Sequence, residues 1–127
     1  MAEFSDALRI TMSGMQAQAT RLRLTAENIA NAETPGYHRK TVSFEAMADG
    51  AGTIATGPVR LDQSALERIH DPSNPLADAD GYVDGSNVNL LLEMTDAREA
   101  SRSYEANLKM FEQTRSMSSA LLDLLRR

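Results

Sequence analysis

The chain has 127 residues and carries 13 Lys and Arg against 18 Asp and Glu, a net charge of −5. It has no Cys and two His, His38 and His70, which removes disulfides, thiolate metal sites and cysteine nucleophiles and leaves little material for imidazole chemistry. Seven Met, no Trp and the acidic balance point to an adaptable packing surface, and away from an aromatic-lined ligand pocket or a nucleic-acid binder.

The first predicted element is a long helix. Met1-Ala2-Glu3-Phe4-Ser5-Asp6 places acids where a secretory signal carries bases, and Arg9, Thr11, Ser13 and Gln16 interrupt any apolar run, so no Sec-type signal is expected. Leu8, Met12, Met15, Ala19, Leu22, Ala26 and Ile29 alternate at spacings of four and three, an a/d seam lasting three heptads. This predicts a helix over about residues 4–31, ~42 Å long at 1.5 Å per residue, more than a small core can cover. Gly14 weakens it by roughly 1 kcal/mol relative to Ala and allows a neighbour to approach closely.

The middle is irregular and acidic. Residues 32–86 hold nine acids and four bases, all four Pro and six of the seven Gly, while both ends are electrically neutral. Residues 40–45 alternate like a strand, and 53–56 and 59–61 flank Gly57-Pro58 as a strand pair with a turn between them. Asp71-Pro72-Ser73-Asn74-Pro75 and Asp80-Gly81 read as turns.

The second helix repeats the seam: Leu90, Met94, Ala97, Ser101, Tyr104, Leu108, Phe111, Arg115, Ser118, Leu122 and Leu125, with Met110, Met117, Leu121 and Leu124 forming an adjacent stripe. Asn87 or Asn89 can cap its start, and Glu93 and Asp96 suit its N-terminal dipole end. The longest aliphatic run, Leu90-Leu91-Leu92, is far below the ~20 residues of a bilayer span, so no direct membrane insertion is expected. The fold class is therefore mainly α, two long terminal helices pairing in a coiled-coil-like manner around a small irregular or β segment. The division is 1–36, 37–86 and 87–127, the first and last forming one structural domain. Periodicity alone leaves open whether the seams meet within one chain or also pack on other copies.

Chemistry is sparse. Asp78-Ala79-Asp80-Gly81 resembles part of a calcium loop, but its frame puts Leu76 and Asn87 at the first and last ligand positions, so a solvated turn is the better reading. Gly50-Ala51-Gly52 lacks the strand and helix of a nucleotide loop. His70-Asp71 could orient an imidazole for hydrolysis, yet Asp71 before Pro72 is explained as a turn residue. Tyr37-His38-Arg39-Lys40 is a basic-aromatic cluster, but it stands in an acidic segment and reads as a subunit contact or plain surface. No catalytic, metal or cofactor site is expected.

Leu24-Thr25-Ala26-Glu27-Asn28-Ile29-Ala30-Asn31-Ala32-Glu33-Thr34-Pro35-Gly36-Tyr37 resembles the N-terminal signature of flagellar axial proteins, in which Asn-Ile-Ala-Asn-x-x-Thr-Pro-Gly-Tyr closes the first long helix. Asn28 and Asn31 can bond backbone groups where the helix ends, Pro35 forces Thr34 to be extended, Gly36 supplies a positive φ if the turn is type II, and Tyr37 packs the exit. Asp71-Pro72-x-x-Pro75-x-Ala77-Asp78, Gly81-Tyr82-Val83, Asn87-Val88-Asn89, Glu93-Met94-x-Asp96 and Ser101–Asn107 resemble the proximal members of the flagellar basal-body rod family over nearly the whole chain. Asp84-Gly85-Ser86 departs from that pattern, where a bulkier residue and Pro are usual. The resemblance implies a structural subunit of the flagellar rod, without cofactor, exported by the flagellar type III apparatus to the periplasm-crossing shaft of the basal body. Implied partners are copies of itself, other rod proteins, the ring-to-rod adaptor and the export apparatus. Leu8, Met12, Met15, Leu22, Ile29, Met94, Tyr104, Leu108, Phe111, Leu122 and Leu125 are the expected axial packing and subunit-interface residues. A helical export chaperone or adaptor is the alternative, but it needs neither the Asn28–Tyr37 exit nor a Pro-rich centre.

Overall fold

The computed structural model describes residues 2–48 and 50–126. Two helices dominate it: α1 (Ala2–Ala30) and α2 (Leu90–Leu125), both within a residue or two of the ranges their periodicity predicts. They run antiparallel. Going up α1, Gly14 faces Asn107, Arg21 reaches Asp96 and Glu99, and Asn28 reaches Glu93, so numbers rise on one helix as they fall on the other.

Local chemistry sets the helix ends. Asn89 caps α2, its side chain accepting from the Leu91 and Leu92 N–H groups. Asn87 serves elsewhere. At the end of α1, the Asn31 amide donates to the Glu27 carbonyl at 2.8 Å and the Thr34 hydroxyl donates to Asn31 Oδ1 at 3.0 Å. The chain then turns at Pro35-Gly36, with the Tyr37 N–H on the Thr34 carbonyl at 3.2 Å and Gly36 at φ 75°, as a type II turn requires.

Among the described residues of the middle, six short strands occur: β1 (Lys40–Thr41), β2 (Phe44–Ala46), β3 (Ile54–Thr56), β4 (Arg60–Leu61), β5 (Arg68–His70) and β6 (Tyr82–Asp84). The pairing differs from the expected 53–56 with 59–61. Instead β1 pairs with β4 and β2 with β3, both antiparallel, so one interrupted strand faces both pieces of the other. Pro58 cannot donate into a ladder, and residues 57–59 bulge opposite only Val42-Ser43. Gly57 lets the Glu45 carboxylate fold against the bulge, because a Cβ there would lie 2.6 Å from it and push it aside. The hairpin lies back along α1, with the Ile54 N–H donating to the Ser13 hydroxyl at 3.2 Å and Ile10 packed near Gly52. A second hairpin, β5–β6, sits by the α1 exit and carries the expected turns, the Asn74 N–H bonding the Asp71 carbonyl and the Gly81 N–H the Asp78 carbonyl.

The interior is small. Among the described residues, Ala17, Leu24, Val83 and Ala100 are the buried apolar ones, accompanied by buried Thr11, Thr25, Asn28, Thr53, Ser86 and Glu93. Gly14 is also buried against α2, where its missing Cβ leaves room for the Asn107 amide. Small and polar side chains thus let the helices approach while most large apolar residues stay outside.

Candidate functional site

The elements converge on a polar node where α1 ends and α2 begins. Asn28 uses its whole side-chain amide: Oδ1 accepts from the Tyr37 hydroxyl at 2.8 Å and the Lys40 N–H at 2.8 Å, while Nδ2 donates to the Lys40 carbonyl at 2.9 Å and to Glu93 Oε2 at 3.3 Å. Glu93 is fully buried and takes a second hydrogen bond from Arg39 Nε. Arg39 also pairs with Asp96 at 3.4 Å and Asp62 at 3.9 Å, and Arg21 ties Asp96 and Glu99 to α1 at 3.4 Å each. Asn87 accepts from the Arg39 N–H at 2.6 Å and donates to the Asp62 carbonyl at 2.9 Å. One set of side chains therefore joins both helices, the exit turn and the first hairpin.

Its electrostatics are self-contained. Burial works to lower the Arg39 pKa, but the hydrogen bond to Glu93 and the charges of Glu93, Asp96 and Asp62 hold it above its ordinary value. Burial raises the Tyr37 hydroxyl, with Glu27 and Glu93 adding to it and Lys40 opposing. Asp62 is lowered chiefly by the Ser64 N–H and hydroxyl. Arg21, Arg39 and Lys40 line a cleft with Asp96, yet each has a carboxylate partner, Lys40 pairing with Glu27 at 3.2 Å, so it does not form an anion site.

The signature residues all find structural work. Asn28 and Tyr37 are in the node, Asn31 and Thr34 close α1, and Pro35-Gly36 makes the turn whose Gly36 N–H reaches the Asp84 carbonyl at 3.1 Å and the Gly85 carbonyl at 3.0 Å. In the departing segment, Ser86 is buried, its hydroxyl donating to the Ala32 carbonyl and accepting from the Val88 N–H at 3.3 Å. A Cβ at Gly85 would stand 3.0 Å from Ile69 Cδ1 and 3.3 Å from the Glu67 carbonyl, so a side chain here would need Ile69 to shift.

The apolar seams lie elsewhere. Leu8, Met15, Leu22, Ile29 and Phe111 are only half-buried, and Met12, Met94, Tyr104, Leu108, Leu122 and Leu125 are exposed. The seams are thus not the centre of the helix pair, because the faces carrying Gly14, Ala17, Ala100 and Asn107 allow a closer approach than Met and Leu would. They meet instead at an open groove lined by Ala19, Leu22, Arg23, Ala26 and Tyr104.

The remaining candidates resolve locally. His70 packs edge-on against Tyr82 at 4.9 Å, and Asp71 accepts from the Ser73 hydroxyl at 2.8 Å in its turn. Asp78 accepts from the Asp80 and Tyr82 N–H groups at 2.9 Å and from Arg68, which leaves its carboxylate engaged by the hairpin. Gly50 and Gly52 sit at positive φ in the tip of the first hairpin. No group of three or more His, Asp or Glu among the described residues is arranged to hold a metal ion. No helix among them is long and apolar enough to cross a membrane. Sequence reasoning missed the roles of Glu93, Arg39, Arg21 and Asp62 in the node. No spacing signal marks partners separated by 54 or 75 positions.

Comparison with known proteins is consistent along the chain. Residues 8–38 match the family model "Flagella basal body rod protein", and residues 79–124 match "Flagellar basal body rod FlgEFG protein C-terminal". The chain is 43% identical to a flagellar basal-body rod protein FlgC of Agrobacterium fabrum, covering 99% of this chain and 98% of the relative. It is 37% identical to proteins of the same name from Salmonella typhimurium, over 91% of this chain and 92% of the relative, and from Aquifex aeolicus, over 92% and 93%.

Proposed function

The chain belongs to the flagellar basal-body rod protein family, and from that premise we propose that its terminal helices assemble it, with copies of itself, into the proximal, torque-transmitting part of the rod. It is a structural subunit of the basal body. The observation that supports polymerisation is an inversion of the usual burial. Glu93 and Asn28 are inside the helix pair at 0% and 1% exposure, while Leu124 and Leu125 on the same helices stand out at 63% and 72%. An isolated soluble chain gains nothing from a continuous apolar stripe in water, whereas a subunit uses it to bury area against its neighbours.

In this reading, Leu8, Met12, Met15, Leu22, Ile29, Met94, Tyr104, Leu108, Phe111, Leu122 and Leu125 are interface residues, and other rod proteins and the ring-to-rod adaptor meet the same surfaces at the ends of the stack. The electrical neutrality of both helical ends lets many copies pack side by side without mutual repulsion. The node at Glu93 holds each subunit rigid, as torque transfer requires. Passage through the flagellar type III export apparatus would place the chain in the periplasm-crossing shaft. The chain works by packing, with no catalytic step or cofactor.

Peptide mass spectrometry on detergent-purified hook–basal bodies tests this reading. Several copies of the chain per body are expected. Recovery only from the soluble cytoplasm would overturn the rod assignment and revive an export chaperone or adaptor.

A further inference from the structure

Two apolar features stand exposed among the described residues and differ in shape. The first is concave: the groove of about 380 Å³ between the helices, with Ala19, Leu22 and Ala26 on one bank and Tyr104 on the other. Ala19 and Ala26 are two turns apart on one face of α1, and their small side chains let another helix approach to the ~8 Å of a tight packing. The second is convex. Met117, Leu121 and Leu124 follow one another at helical spacing near the end of α2 and are 55%, 40% and 63% exposed. The antiparallel register sets Asn107 against Gly14 and Glu93 against Asn28, so Met117 falls near the first described turn of α1 and Leu124 beyond it.

We infer that the Met117–Leu121–Leu124 stripe of one copy seats in the Ala19–Leu22–Ala26–Tyr104 groove of a second copy. Charge agrees with this occupant. Arg23 at the groove edge has a side chain 61% exposed, with a single carboxylate, Glu27, at 3.2 Å, and Asp123 is exposed beside the stripe. Topology agrees too. Stripe and groove are different patches on one molecule, far apart along the helix pair, so the contact is head-to-tail, and it extends into an open assembly wherever its rotation does not close a ring. Each copy then offers a free groove at one side and a free stripe at the other, which is the condition for an open helical assembly. This inference rests on the rod-subunit reading and names the surfaces that would carry it.

The absence of native Cys makes a direct test possible. Cells co-express a chain carrying Ala19→Cys and a chain carrying Leu121→Cys; swimming is scored, and purified hook–basal bodies are oxidised. Within one chain these positions lie about 28 Å apart along the helix pair, well beyond the ~7 Å that a disulfide spans, so any cross-link joins two copies. The expected result is a disulfide-linked dimer of the two variants, absent from bodies built with either variant alone. If Leu121→Cys stops assembly, Leu124→Cys replaces it. Swimming cells whose bodies contain both variants but no such dimer would overturn the stripe-in-groove contact while leaving the rod subunit standing. An Ala19→Cys thiol shielded from maleimide but linked to neither stripe position would overturn it as well, by showing that something else fills the groove. Absence of the unsubstituted chain from hook–basal bodies would remove both readings.

Discussion

The side-chain amide of Asn28 donates to the Glu93 carboxylate at 3.3 Å, joining the end of α1 to the start of α2 at a point where neither residue is more than 1% exposed. The ion pair that Arg39 makes with the same Glu93 adds little net stability, since desolvation offsets its Coulomb attraction. Its value here is positional. Small side chains along the helix contact would tolerate sliding, and only one register satisfies Asn28, Arg39 and Glu93 together, much as a buried Asn pins a coiled coil.

Glu93→Ala should therefore cost about 1–3 kcal/mol, because the Arg39 Nε–H and the Asn28 amide each lose a buried acceptor while Arg39 keeps Asp96 and Asp62 as counter-charges. Loss of helical circular dichroism at lower urea than for the parent chain is the expected result. Asn28→Ala should cost about 1–3 kcal/mol by orphaning the Lys40 backbone groups. Unchanged midpoints for both variants would remove the node from the account of the fold.

A Cβ at Gly14 would stand 3.0 Å from Asn107 Nδ2, so an α2 side chain fills the space where α1 has none. Gly14→Val should lower stability by about 1–3 kcal/mol through crowding, despite leaving the glycine's poor helix propensity behind. Adding Asn107→Ala should recover much of that loss, since the atoms in the way are removed. Thermal melts of the two single variants and the double variant give the coupling; strict additivity would show that the two sites do not touch.

Stability should fall at both pH extremes for different reasons. Asp62 is held below its ordinary value mainly by the Ser64 N–H, and Asp78 mainly by the Tyr82 N–H and then Arg68. A depressed folded-state pKa stabilises above the unfolded value near 3.8 and stops doing so as pH falls through the folded one. Faster amide exchange at Ser64, Asp80 and Tyr82 is expected below about pH 4, relative to neutral conditions after correction for intrinsic rates. Tyr37 behaves oppositely. Burial raises it above 10.0, so its contribution is complete below that value and is lost as pH rises through the folded one. Tyr37→Phe should abolish that alkaline transition.

Leu22→Asp and Phe111→Asp place a charge on the half-buried seams, and both should stop assembly and swimming while the chain is still exported. Leu121→Asp, on an exposed position, should do so with a change in monomer stability of about 0.5 kcal/mol or less. His70→Ala is the control: it removes an edge-on ring contact with Tyr82 on an exposed hairpin and should leave swimming intact. Secretion that stops in the Asp variants, while the purified proteins still polymerise, would contradict the assignment of the seams to assembly.

Both helices, a turn at Pro35-Gly36 and a cap at Asn87 or Asn89 were legible from the sequence because each depends on residues a few positions apart, and the structure chose Asn89. Heptad spacing, a Pro-Gly pair and a side chain bonding the next turn act through local geometry alone. Only the tertiary structure decided which face of each helix turns inward. Periodicity shows that a stripe such as Leu8–Ile29 needs cover, not which surface supplies it, and here the faces of Gly14, Ala17 and Ala100 pack together because small side chains bring backbones closer. The strand pairing was decided in the same way: Pro58, taken from sequence as a turn, withholds one donor and so becomes a bulge in a longer hairpin. Glu93, read from sequence only as an acid suited to the N-terminal dipole end of α2, is the most buried charge among the described residues, since only folding brings Arg39 and Asn28 within hydrogen-bonding distance to compensate its lost hydration.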